Sequence, residues 1–446
     1  MRTAVIYLGT LFLVGYAARD WYKSLCGLII MTAVLDNPNM PREMFGIGGL
    51  NPWNLLFFAL LPAWLLARRR EGLRWDMPRH ISFLLVVYVA LIVVGFLRLL
   101  IDRDPVTATT GELVREYLLN TLKYMVPGLL LFDGARDRGR FVLGLASVLA
   151  IYVIVALLVI KWMPLSAASG GTYFQARAMT RLHQEIGFHR TALSVMLAGA
   201  CWAMLGARLL ADRRWVRVGL LGVVATLFFA QALTAGRGGY LASACVGLVL
   251  CLLRWRKYFL VAPLAVVLVL AVAPGVRERT LTGFAPADED ADEAVDEDAL
   301  SAGRLGVWPY MIAKVWEAPV VGFGRLGYQR SGLASFIAEE IDPSFPHPHN
   351  AYIEWLLDNG WLGFALVAPF YVLVLAYALS LFRDSGHPMY VAAGATAFAL
   401  VFAQLIGSLT GRSFYPDAET VGMWCAIGLM LRVWVERART RTDEAA

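Results

Sequence analysis

His347 and His349 stand between prolines in PHPHN, directly before a short apolar helix pattern over 351–358. A histidine at a membrane surface can take a proton from a hydroxyl group. Arg237 in LTAGRGGY and Arg304 in SAGRLG stand at the mouths of apolar runs. Guanidinium forks suit phosphate oxygens. One base and two anion-binding groups on one membrane face point to chemistry on a lipid-linked phosphate rather than to passage of a solute.

His349 and Asn350 fall at the N-cap of the 351–358 helix. A helix N-terminus disfavours an imidazolium, which leaves His349 neutral and able to accept a proton. General-base help of this kind contributes about 10²–10⁴-fold. The competing reading has His349 only capping the helix or packing on Trp355, and His347 is its nearest rival as base. Arg237 is flanked by glycines that permit close backbone approach. A charge near membrane depth costs about 2.5–3.5 kcal/mol and is kept mainly when paired or functional. The alternative is an arginine that snorkels to the interface. Arg304 opens an amphipathic helix over about 302–317, with Val307, Trp308, Met311, Ile312, Val315 and Trp316 on its apolar stripe. Free N–H groups at a helix start attract anions; the alternative is a solvated arginine paired with the neighbouring acidic run.

Weaker candidates surround these. GFGRLG, residues 322–327, fits a nucleotide fingerprint only as a letter pattern, since no strand precedes it. Its glycines shape a turn that aims Arg325 or Arg330. Arg190, beside His189, closes the outer end of the sixth span, and Arg412 in TGRSFYPDAE that of the eleventh. With Arg98, Lys123 and Lys161 they form a cationic collar suited to lipid-linked anions. Asp102 and Asp104 form a D-x-D pattern that is common by chance. The run ADEDADEAVDED, 287–298, reads as a solvated loop rather than a cation site.

The elements that must position these residues are membrane helices. The chain has 446 residues, 59% hydrophobic and 17% charged. Continuous rather than alternating apolar runs predict an all-α, polytopic membrane protein. Twelve spans are expected, at 4–18, 51–67, 81–101, 117–132, 141–163, 187–207, 218–235, 239–253, 258–274, 361–382, 390–410 and 419–435. Segment 24–35 is too short to cross about 30 Å of hydrocarbon, so it reads as re-entrant; if it spans, there are thirteen crossings. Arginine clusters at 68–79, 136–140, 208–217, 254–257 and 437–441 mark cytoplasmic loops. The net charge of +6 reflects these loops and does not imply nucleic acid. Four parts result: N-terminal spans 1–274, a periplasmic loop 275–350, C-terminal spans 351–435 and a cytoplasmic tail 436–446. Five cysteines in apolar segments suggest neither disulfides nor a metal site. Walker A, HExxH and GxSxG signatures are absent.

The ordered set LTAGRGG, SAGRLGVWPY…APVVGFG and PHNAYIEWLLDNGWLG resembles the O-antigen ligase and polymerase superfamily over roughly 185–435. The resemblance implies a GT-C-like membrane glycosyltransferase in a bacterial inner membrane, with its site facing the periplasm. It implies no metal and no other cofactor. Its donor is a glycan on undecaprenyl pyrophosphate, and its acceptor a sugar hydroxyl of lipid A–core. The family's essential histidine maps onto His349 and its two essential arginines onto Arg237 and Arg304. Arg190, Asn350, Arg412, His347 and Arg325 are expected substrate-binding positions. Three other functions fit the same pattern: a glycan polymerase using a second lipid-linked glycan, a protein O-glycosylation ligase, and a transporter of lipid-linked sugars.

Overall fold

A computed structural model describes residues 2–169, 171–281, 303–343, 345–411 and 413–445. Helices dominate these residues; the exception is a hairpin pairing Glu43–Met44 with Ile47–Gly48, Glu43 opposite Gly48. The chain is an all-α, multi-pass membrane protein. Among the described residues seven helices are long and apolar enough to cross a membrane, or eight if one bent pair counts as a span. Three shorter apolar helices accompany them: Ala4–Ala17, Trp21–Val34 and Arg237–Leu253. The acidic run 287–298 and Arg412 lie outside the described residues.

The expected spans differ from the observed helices where proline intervenes. The 117–132 run is not one helix. A π-helical turn, Val114–Leu119, leads into Asn120–Lys123, and a new helix, Val126–Gly134, starts with Pro127 in its first turn. Proline lacks the N–H that would continue the earlier ladder. The 258–274 run ends at Val272, and the chain turns by 112° into Pro274–Leu281. Segment 24–35 forms the short helix Trp21–Met31, capped by Asp20, and the 3₁₀ turn Thr32–Val34.

Hydrocarbon supplies no hydrophobic drive between helices, so close packing of small side chains must hold them. Helices Arg190–Ala207 and Pro388–Gly407 pack on each other. Their buried residues include Ala198, Ala200, Ala203, Ala392, Ala395 and Ala399.

The segment after residue 303 builds a small core of its own. Val307, Met311 and Val315 from helix Arg304–Val315 pack with Tyr328, Ile337, Phe345, Ile353 and Leu357. Ile312 and Trp316, on the same apolar stripe, are 49% and 63% exposed. The core rests on the first two turns of the long helix Ala351–Arg383.

That helix breaks at Gly360 (φ 64°, ψ −171°), which divides it into 351–359 and the span beyond. The loop 319–324 splices into the break. Phe323 and Gly324 donate their N–H groups to the carbonyls of Leu357 and Asp358, at 2.6 and 2.8 Å. Trp361 and Leu362 donate to the carbonyls of Pro319 and Val320, at 2.8 and 3.0 Å. Four backbone groups that an unbroken helix would pair internally are thus satisfied by the loop, as buried polar groups require. A Cβ at Gly360 would overlap the Val320 carbonyl, so only glycine fits there.

Candidate active site

Three of the helices that begin with an arginine are Arg190–Ala207, Arg237–Leu253 and Arg304–Val315. Their N-caps are His189, Gly236 and Gly303, and no side chain caps any of the three starts. The first-turn N–H groups therefore keep their partial positive charge beside the guanidiniums. Other helix starts, such as those at Asn51, Asp137 and Asn350, are capped by a side chain.

The three starts converge. Arg190 lies within electrostatic range of Arg237, Arg304 and a fourth arginine, Arg279, and Arg237 within range of Arg279 and Arg304. Burial, and after it the charge of Arg279, pull the Arg304 guanidinium below its ordinary value. An anion placed among these groups would relieve both effects. The Nε atoms of Arg190 and Arg279 are buried without a hydrogen-bond partner among the described residues. No ion pair joins Arg190, Arg279 or Arg304 to a described carboxylate. Sequence reasoning missed Arg279. In VRERT it reads as one more charge in a polar loop, and only the 112° turn at Pro274 carries it back to the cluster.

Small residues fix Arg237. Ala235 adopts a left-handed conformation (φ 56°), and its carbonyl accepts from Arg190 Nη1 at 3.0 Å. Ser194 Oγ donates to Gly236 O at 2.8 Å. A Cβ at Gly236 or Gly239 would overlap Ser194, and one at Gly238 would overlap Thr410. The turn thus locks the starts of two helices together and presents both arginines side by side.

Arg304 connects this cluster to the histidines. The preceding Gly303 sits against the Phe345 ring, at 3.6 Å from its would-be Cβ. Phe345 in turn meets His349 edge to face, with centroids 5.8 Å apart. From the same helix, Trp308 Nε1 donates to Pro348 O at 3.1 Å. Tyr328 OH donates to Phe345 O at 2.7 Å. The His347 and His349 rings lie 4.0 Å apart, so the two rivals for the base role share one place. His349 has φ 50°, a conformation that costs a non-glycine residue about 1–3 kcal/mol and clusters at functional sites.

The cap of the long helix is Asn350. Its Oδ1 accepts from the N–H groups of Tyr352 and Ile353, at 3.0 and 3.3 Å. This leaves the His349 ring outside the capping interaction. Trp355 packs into the aromatic core with Tyr88 and Tyr415.

Arg325 points elsewhere. Its guanidinium lies 3.3 Å from Asp358, 3.6 Å from Glu354 and 3.3 Å above the Tyr415 ring. Burial alone would lower its pKa, but Tyr415, Asp358 and Glu354 outweigh burial and raise it. Arg98 holds the glycine turn through the carbonyls of Val321 and Gly322, at 2.5 and 2.7 Å. Arg330 binds Asp102 at 2.7 Å, which engages one carboxylate of the D-x-D pattern.

Residues 221–368 match the O-Antigen ligase family. That stretch carries Arg237, Arg279, Arg304, Arg325, His347, His349 and Asn350, whereas Arg190 and Arg412 lie outside it. It is narrower than the 185–435 expected from the motifs. Among curated proteins, none matches the chain. The match assigns this stretch to the O-antigen ligase family, and with it a ligase- or polymerase-type transferase role in the broad sense.

Proposed function

We propose that the protein transfers an O-antigen glycan from undecaprenyl pyrophosphate to a sugar hydroxyl of lipid A–core. The reaction is set on the periplasmic face of a bacterial inner membrane, in a GT-C-like scaffold of twelve crossings. The observation that carries this reading is the meeting of three uncapped, arginine-led helix starts beside the His347–His349 pair. A pyrophosphate is the ligand such a site suits best, because it offers several anionic oxygens to forks and N–H groups at once.

In this reading Arg237 and Arg304 hold the pyrophosphate, with Arg190 and Arg279 beside them. His349 takes the proton of the acceptor hydroxyl. The acceptor oxygen then attacks the anomeric carbon as the bond to the pyrophosphate breaks. Undecaprenyl pyrophosphate leaves, its charge held by the arginines. A single displacement of this kind inverts the anomeric configuration. His347 and Asn350 position the His349 segment, and Arg325 acts through the loop splice rather than on substrate. Arg412, outside the described residues, keeps its expected role in binding the pyrophosphate or the glycan. Residues 1–274 and 351–435 supply the membrane walls, 275–350 the cap over the site, and 436–446 the cytoplasmic tail. No cofactor enters any step.

The test is a transfer assay with purified protein, the lipid-linked glycan and two separate acceptors. Product on lipid A–core supports the ligase. Product only on a second lipid-linked glycan makes the protein a polymerase.

A further inference from the structure

At the opposite end of the long helix, the geometry points to a second site, one that binds an anionic glycerophospholipid through its phosphate. A cleft of about 640 Å³ opens beside Arg383, the last residue of Ala351–Arg383. Its polar wall is formed by Arg383, Arg437 and Arg441. Asp384 is the one carboxylate lining it, and accepts from Arg437 Nε at 2.7 Å and Arg441 Nη2 at 2.9 Å. Three guanidiniums against one carboxylate leave positive charge in excess.

The arginines are not equivalent. Arg437 is 8% exposed, and its Nη1 also donates to Ser380 Oγ at 3.1 Å, so it is a fixed wall. The Arg441 side chain remains 62% exposed, and Arg383 has no ion pair with a described carboxylate. A helix C-terminus normally repels an anion through its carbonyls. Here Arg254 covers them, donating to the carbonyls of Phe382 and Arg383 at 3.3 and 3.4 Å.

The other wall decides the ligand class. Ala376 and Leu379 line the same cleft and lie one to two turns back along the span. A free phosphate would fill only the polar half. A phospholipid matches both, with its phosphate on the exposed arginines and its acyl chain along the span. This site is independent of the transfer reaction, since no residue of it takes part there.

Native mass spectrometry and thermal unfolding of the full chain in detergent test the site. Phosphatidylglycerol should be retained and should raise the unfolding midpoint. Phosphatidylcholine should bind about tenfold or more weakly, and inorganic phosphate at equal concentration should leave the midpoint unchanged. Arg383→Gln with Arg441→Gln should weaken phosphatidylglycerol about tenfold or more, while Lys at both positions should largely preserve it. Equal retention of phosphatidylglycerol by the Gln pair and the unaltered protein would overturn the site. So would equal retention of phosphatidylcholine, or a free-phosphate shift matching that of the lipid. The lipid comparison uses the unaltered protein, so it decides the matter even if the Gln pair fails to fold.

Discussion

Asp358 accepts the backbone N–H of Gly327 at 2.7 Å, across 31 residues of chain. The same carboxylate takes the Tyr415 hydroxyl at 2.9 Å and Arg325 at 3.3 Å. One side chain therefore fastens the glycine turn to the helix whose first residues follow His349 and Asn350. The bond lies beside the spliced break at Gly360, so side-chain and backbone contacts hold the same joint.

Removing this fastening should be costly. Asp358→Ala leaves Arg325 buried with a single, more distant carboxylate, and breaking a buried pair costs about 3–5 kcal/mol. The unfolding midpoint of the purified protein should fall clearly. Asp358→Asn keeps an oxygen for the Gly327 N–H, while its amide nitrogen can only donate to the Tyr415 hydroxyl, and it should lose less. An unchanged midpoint in the Ala variant would show that the joint contributes nothing.

Gly360→Ala tests the splice itself. The position has φ 64°, and a Cβ would overlap the Val320 carbonyl. The cost should reach at least about 1–3 kcal/mol. Transfer activity should fall with it, because the displaced loop carries the helix that supports the His349 segment. Full activity at a normal midpoint would remove the splice from the account.

Lysine in place of Arg237, Arg304 or Arg279 keeps the charge and loses the fork. Each charge-assisted bond is worth about 1.5–3 kcal/mol, so donor KM should rise by roughly 10- to 150-fold per position. Kinetics at varied donor concentration check this. Arg279→Lys is the most informative, since the sequence alone gave no reason to choose it. Unaltered donor kinetics in all three would sink the anion site.

The joint at the far end of the long helix has a pH dependence. The Gly386 N–H, and then the charges of Arg437 and Arg441, hold Asp384 below its ordinary value of 3.8. A carboxylate lowered by folding adds stability that is present above its unfolded value and is lost as pH falls through the folded one. The unfolding midpoint should therefore drop on acidification below about pH 4, and less so in Asp384→Asn. Identical acid profiles for the two proteins would contradict this.

Much of this architecture was legible because it is local. Apolar runs marked the helices, PHN before an apolar stretch marked the Asn350 cap, and DNGWLG marked the separation of 351–358 from the span. Glycines around Arg237 signalled a close approach. Other features depend on contacts that no local pattern encodes. Pro127 divides a run that reads as one span. Arg325 looks outward in sequence, yet turns in to Asp358. Arg279 joins the cluster only through the bend at Pro274, and Asp358 finds Gly327 only after the loop has folded back.

The most direct measurement is transfer to lipid A–core by the purified protein and by its His349→Ala variant, with donor binding followed in both. The expected result is product from the unaltered protein and a loss of about 10²–10⁴-fold in the variant, with donor still bound. His347→Ala should retain more activity than His349→Ala. Undiminished transfer by the His349→Ala protein would contradict the assignment of the base, and with it the central claim.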